Sequence, residues 1–247
     1  MRVDLNADLG EGAPFDEKLL DLVTSANVAC GLHAGDPTRM RLTIEQAAER
    51  GVSIGAHPGY ADREGFGRRD VELSPGELRD LVSYQLGAID VFVRRTRRRL
   101  RHVKPHGALY NRVARDPEAA TALVEAVRAI DPALLLLGLD GSIMLRAAET
   151  AGLGGIREAF VDRAYLPDGS LLPRNEPGAV LHDPDLVAER ALRMVVEHHV
   201  VAIDGTRHLL RPQSLCTHGD GVNAVALVRA VRQRLEDAGI TIAAFAA

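Results

Sequence analysis

The stretch Val3-Asp4-Leu5-Asn6-Ala7-Asp8-Leu9-Gly10-Glu11 alternates apolar and polar residues. A period of two is that of a β-strand, so Asp4, Asn6 and Asp8 share one face and Glu11 falls in the loop just beyond it. Three polar groups turned into a protein interior cost roughly 1–3 kcal/mol each unless they are paired. The face therefore reads as part of a site, the alternative being a capped strand end. A calcium loop is excluded, because Gly is missing at the sixth position and Glu at the twelfth.

Working outward, strand-like apolar runs recur near residues 27–31, 52–56, 102–103, 134–139, 158–161 and 214–217. Amphipathic segments with clear start signals lie between them. Asp36-Pro37, Asp116-Pro117 and Asp183-Pro184 each place a capping carboxylate before a proline at the first helical position, and Ser74-Pro75-Gly76-Glu77 reads as a capping box. Gly51, Gly152 and Gly239 stand where helices should stop. About seven βα units result. Such alternation predicts a parallel sheet covered by helices, and a chain of 247 residues suits a closed (β/α) barrel. Seven units make that barrel distorted and short of the usual eight; an open doubly wound sheet is the alternative. No G-x-G-x-x-G follows the first strand, so a dinucleotide-binding domain is not expected. With no internal repeat or linker, residues 1–247 read as a single barrel domain. The segments 60–73 and 163–182 read as loops over its mouth.

In a parallel barrel the reacting groups gather where strands end and loops begin. The second strand delivers Asn27 and, beyond Cys30, His33; the third delivers His57-Pro58-Gly59; the fourth Lys104-Pro105-His106-Gly107; the last Cys216-Thr217-His218-Gly219-Asp220. Histidines at successive strand ends, each beside a Gly or Pro that permits close approach, point to one shared site. His182, His198, His199 and His208 fall in predicted loops or helices and read as surface residues. A carboxylate with two histidines can hold a catalytic metal with an open position, and Asp8, His57 and His106 are the candidate set. Cys30 and Cys216 lack the paired spacing of a structural zinc site and read as buried, reduced strand cysteines. Arg69, in the glycine-rich loop after the third strand, offers a bidentate fork for a carboxylate or phosphate. Asp162-Arg163 ends the sixth strand and closes the far side.

Composition narrows the function further. With 30 basic and 34 acidic residues the net charge is −4, and there are five Phe, four Tyr and no Trp. Neither a polyphosphate backbone nor a stack of bases has a surface to bind. The chain lacks an apolar run of membrane-spanning length and an apolar leader at its start, so a cytoplasmic location is expected. Only Lys18 and Lys104 are lysines; every other positive side chain is Arg. Lys104 among the mouth residues thus invites a chemical role, as proton donor or base. The run from Arg94 to Arg101 reads as a solvated helix end favoured by the helix dipole.

VDLNADLGEG, SANVACGLHAGDP, GAHPGYADREGFGRR, KPHGALYN, FVDRAY and CTHGD occur in this order. Together they resemble the LamB/YcsF family, whose members form the A subunit of the prokaryotic ATP-dependent 5-oxoprolinase. The resemblance implies a barrel of the glycoside hydrolase/deacetylase type, ATP-coupled opening of 5-oxo-L-proline to L-glutamate, and partner subunits B and C. Opening a lactam requires a nucleophile at the carbonyl, stabilisation of the oxyanion and protonation of the leaving nitrogen. Asp8 or Glu11 is expected to activate water, and Lys104 and His106 to stabilise charge or deliver a proton. Arg69 or Arg163 would hold the substrate carboxylate, with Asn6, Asn27, His33, His57, Asp162 and His218 as further substrate contacts. No G-x-x-x-x-G-K-[ST] is present, so ATP binds in an unusual site or with a partner. Two rivals remain: a stand-alone metal-dependent deacetylase or amidohydrolase, and a non-catalytic protein that only binds the lactam.

Overall fold

The computed structural model describes residues 1–217 and 223–245. Its strands are β1 (Arg2–Leu9), β2 (Ser25–Ala29), β3 (Ser53–His57), β4 (His102–Val103), β5 (Leu135–Leu139), β6 (Gly155–Phe160), β7 (His199–Val201), β8 (Arg207–Leu209), β9 (Ser214–Thr217) and β10 (Thr241–Ile242). Seven of them, β1 to β6 and β9, pair in parallel and close on themselves, since β9 bonds both β6 and β1. β10 extends β1 beyond the ring, and β7 and β8 form a separate antiparallel hairpin. The expected distorted barrel is therefore the observed one. Its weakest stave is the two-residue β4, which still pairs with β3 and β5.

The helices are α1 (Asp16–Leu20), α2 (Pro37–Glu49), α3 (Pro75–Arg95), α4 (Gly107–Arg115), α5 (Pro117–Ile130), α6 (Ile143–Thr150), α7 (Pro184–Val196) and α8 (Ala224–Asp237). Asp36, Asp116 and Asp183 each accept two backbone N–H bonds at a helix start, and Ser74 and Glu77 form the capping box. Each satisfies donors that the first helical turn leaves unpaired. Gly51, Gly152 and Gly239 adopt φ of 70°, 72° and 73°, the left-handed turn that stops a helix.

Period two sorts the strands into two faces. Leu5, Ala7 and Leu9 of β1 point outward into the apolar layer between sheet and helices, where Ile44, Leu86 and Leu123 also lie. Asp4, Asn6 and Asp8 point inward, and so do Ser25, Asn27, His57, His102, Lys104, Glu158 and Ser214, all buried. Branched aliphatic layers fill most such barrels; here hydrogen bonds do. Register makes them possible, with Asn6 beside Ser25 and Cys216, Asp8 beside Asn27, and Glu158 beside Ser214. Gly55 leaves room for the His102 ring, because a Cβ there would sit 2.1 Å from His102 Nε2.

The segment 60–73 is irregular, as expected, while 163–182 carries two isolated bridges, Arg163 with Val180 and Tyr165 with Leu171. Two expectations need correction. The hairpin and β10 were not anticipated, since their two- and three-residue strands carry too little alternation to read. His199 is accordingly buried in β7 rather than on the surface, and His198 beside it takes a φ of 56° that turns the chain into the hairpin. No helix among the described residues is long and apolar enough to cross a membrane.

Candidate active site at the barrel mouth

The C-terminal ends of β1 to β4 converge on one point. Glu11, from the loop after β1, sets Oε1 at 3.1 Å from His33 Nε2, 3.2 Å from His106 Nδ1 and 3.7 Å from His57 Nε2. His57 Nε2 is 3.0 Å from His106 Nδ1 and 3.4 Å from Asp8 Oδ2. The rings of His33 and His106 stack at 3.8 Å, and His57 meets both edge-on. Glu11, His33, His57 and His106 form a group able to hold a metal ion.

Below this cluster lies Lys104, 1% exposed. Its ammonium donates to Asp8 Oδ1 at 3.1 Å, Asn6 Oδ1 at 3.2 Å and Cys216 Sγ at 3.0 Å, and pairs with Glu158 Oε1 at 2.9 Å. Asn27 donates to Asn6 Oδ1 and Asp8 Oδ1 and lies 2.8 Å from His102 Nε2. Asn6 donates to Glu158 and Ser214, and Tyr110 donates to the other Glu158 oxygen. Thr24, Ser25 and Ser214 close the network at Asp4.

Electrostatics follow from burial and these partners. Burial alone would discharge Lys104, but the carboxylates of Asp8 and Glu158 outweigh it and hold the amine well above its ordinary pKa. Burial opposes the charge on Glu11 too; hydrogen bonds to His106 and His33 prevail, and its carboxyl stays well below the usual range. Desolvation pushes His33 down to about 4 and lowers His106. At His57 desolvation is outweighed by Asp8 and Glu11, which raise it. Burial raises Cys216 far above its usual value, so it is a neutral thiol.

A full-length comparison places this geometry in context. The LamB/YcsF family model matches residues 3–247. The chain belongs to the LamB/YcsF family. A relative from Streptomyces avermitilis, named as the A subunit of 5-oxoprolinase, is 53% identical over 99% of this chain and 100% of its own length. Another of that name from Syntrophobacter fumaroxidans is 48% identical over the whole of both. The crystal structure of a lactam utilization protein from Thermus thermophilus superposes with a TM-score of 0.92 at 47% identity, covering 99% of this chain and all of that one. The T48 deacetylase, 16% identical with a TM-score of 0.51 over 98% of this chain and 86% of its own, shares the barrel fold.

In this LamB/YcsF chain the loop after β3 lies over the histidines. Phe66 packs edge-on against His33 and His106 and accepts a bond from His106 Nε2 at its carbonyl, 2.7 Å away. Gly67, φ 63°, lets the loop touch the rings: a Cβ there would lie 2.8 Å from His33 Cβ and 2.9 Å from His106 Cδ2. Buried Gln85 on α3 clamps both backbone polar groups of Gly59. Two surface clefts, of about 390 Å³ and 430 Å³, are lined by other residues, Asp16, Asp36 and Arg39 among them. Neither cleft is lined by Glu11 or by the strand-end histidines.

Of the residues expected at the mouth, Asp8, Glu11, His33, His57, Lys104 and His106 do come together. Asn6 and Asn27 lie deeper, fully buried and engaged with Glu158, Asp8 and Lys104. Arg69 is exposed and forked onto Asp62. Arg163 is buried, donating to the Ala179 and Leu172 carbonyls, with Asp162, Arg68 and Arg174 close enough to influence its charge. His218 lies outside the described residues. Sequence reasoning missed Glu158, Tyr110 and His102. Glu158 carried a signal all the same, a lone carboxylate in an apolar strand register.

Proposed function

We propose that this chain is the A subunit of an ATP-dependent 5-oxoprolinase, hydrolysing 5-oxo-L-proline to L-glutamate in a complex with subunits B and C in the cytoplasm. The observation that carries the reading is Asp8, Glu11, Lys104 and His106 around one mouth in a chain about half identical to proteins of that name.

The chemistry uses this arrangement directly. Lys104 and Asn27 occupy Asp8 Oδ1 and orient that carboxylate, whose Oδ2 faces His57 and the mouth. Asp8, beside Glu11, takes the proton of the attacking water. The Lys104 charge, with His106 beside the mouth, offsets negative charge developing on the lactam oxygen, and the Lys104 ammonium serves the proton needed by the departing nitrogen. Asn6 and Asn27 act as positioning groups. The substrate carboxylate is met by Arg163, or by Arg69 at the rim, with Asp162, His33 and His57 shaping the pocket. ATP, which activates the amide carbonyl, binds with the partner subunits or at a site unlike a P-loop.

Glutamate release from 5-oxo-L-proline, by this chain alone and mixed with subunits B and C, with and without ATP, tests the reading. Turnover is expected only in the complete mixture with ATP. ATP-independent turnover by the isolated chain would overturn it in favour of a metal-dependent deacetylase or amidohydrolase, a reading favoured by the glutamate and three histidines at the mouth.

A further inference from the structure

The hydrogen bonds at the mouth fix which ring nitrogens carry protons. His57 Nδ1 lies 2.7 Å from the Lys104 carbonyl, and His106 Nε2 lies 2.7 Å from the Phe66 carbonyl. A carbonyl only accepts, so both nitrogens are N–H donors. In the neutral rings His57 Nε2 and His106 Nδ1 are therefore bare lone pairs, 3.0 Å apart, and the Glu11 carboxylate oxygen completes a triangle with edges of 3.2 Å and 3.7 Å. Three acceptors facing one another repel. A proton on one ring nitrogen relieves the two edges that meet there and leaves the opposite edge unrelieved; a cation among them relieves all three.

The dimensions fit that cation. Zinc bonds to imidazole nitrogen and carboxylate oxygen of about 2.0–2.1 Å in a tetrahedral array place neighbouring ligand atoms about 3.3–3.4 Å apart, and the observed edges bracket that value. His33 differs from the other two histidines. Its Nδ1 is buried without a partner among the described residues, while Nε2 faces Glu11 Oε1. The proton thus belongs on Nε2, where an acceptor exists, which makes His33 a donor to Glu11 rather than a ligand. Metal-bound histidines characteristically donate their second N–H to a carbonyl, and ligating carboxylates are in turn hydrogen-bonded. Both patterns are present.

We propose that His57 Nε2, His106 Nδ1 and Glu11 bind one divalent transition-metal ion of the zinc class, with His33 holding Glu11 and a fourth position open to the mouth. Asp8, the carboxylate expected from sequence, stands beside this set with Oδ1 committed to Lys104. Imidazole and carboxylate donors suit such an ion better than magnesium or calcium, which prefer all-oxygen shells. The site does not rest on the lactam-opening reading, because metal uptake is measured on the chain without substrate, ATP or partners.

The test uses the full chain without an affinity tag, stripped with chelator, loaded with Zn²⁺ and dialysed, with zinc counted by mass spectrometry. About one zinc per chain is expected, as for a preformed three-ligand site. Co²⁺ in its place should give a visible tetrahedral spectrum without a thiolate charge-transfer band, a readout that needs no variant. His57→Gln and His106→Gln should each abolish stoichiometric uptake while circular dichroism stays native. His33→Gln should keep the stoichiometry with affinity lowered about 10–100-fold, and His182→Ala, on the surface, should change nothing. Wild-type chain that retains no zinc, zinc that survives loss of His57 and His106, or a cobalt spectrum with thiolate character would overturn the assignment.

Discussion

Lys104 is one of two lysines in a chain that writes its other positive charges as Arg, and its surroundings explain the choice. The pocket between Asp8, Glu158, Asn6 and Cys216 accommodates a compact ammonium with three donors, not a planar fork. Removing it leaves buried carboxylates without a counter-charge. Lys104→Met is therefore expected to lose turnover by at least about 10²-fold and also about 3–5 kcal/mol of stability at neutral pH. The double variant Lys104→Met/Glu158→Gln should recover part of that stability in urea melts and none of the glutamate release. Equal stability of the single variant and wild type would refute the ion-pair account.

At the scale of elements, caps and loops divide the labour between stability and chemistry. Ser74 is an exposed cap of α3 whose hydrogen bonds go to Glu77 and not to the cluster, so Ser74→Ala should cost about 1 kcal/mol. That is a fall in Tm of roughly 2–4 °C for a chain of this size, with unchanged turnover in the reconstituted assay. The loop after β3 behaves in the opposite way. Gly67→Ala forces a Cβ against the His33 and His106 rings at a positive φ, which should displace the cover and lower kcat by about tenfold or more, as a misplaced group typically does. A full-activity Gly67→Ala enzyme would show that the loop does not position those rings.

The whole molecule stores its site on a polar barrel interior, and that interior has a pH signature of its own. Burial, only partly offset by bonds from Ser214, Ser25 and Thr24, raises the Asp4 carboxyl from 3.8 to about 6. The unfolded chain then ionises before the folded one, so this group favours the fold fully at low pH and its support is lost as pH rises from about 4 to about 6. Relative to Asp4→Asn, wild type should lose about 1 kcal/mol between pH values of about 5 and 7 in urea denaturation. A constant difference between the two proteins across that range would contradict the shift.

Much of this was legible in the sequence, because its signals are local. Alternation along Val3–Leu9, the Asp-Pro helix starts and the glycine stops each act within a few residues, so strand order, the helices and the inward face of β1 could be read directly. The histidines at strand ends were readable by the same logic, since a parallel barrel gathers those ends. What a one-dimensional pattern cannot carry is register across strands and the direction of a ring nitrogen. Only the closed barrel brought Glu158 to Lys104 across the interior, turned Asn6 and Asn27 into supports beneath the mouth, and buried His199 in a hairpin too short to announce itself. Only the carbonyls of Lys104 and Phe66 decided which face of His57 and His106 is bare. The sequence determined that Asp8, Glu11, His33, His57, Lys104 and His106 would meet; tertiary packing decided their protonation and further partners, because both depend on neighbours distant along the chain.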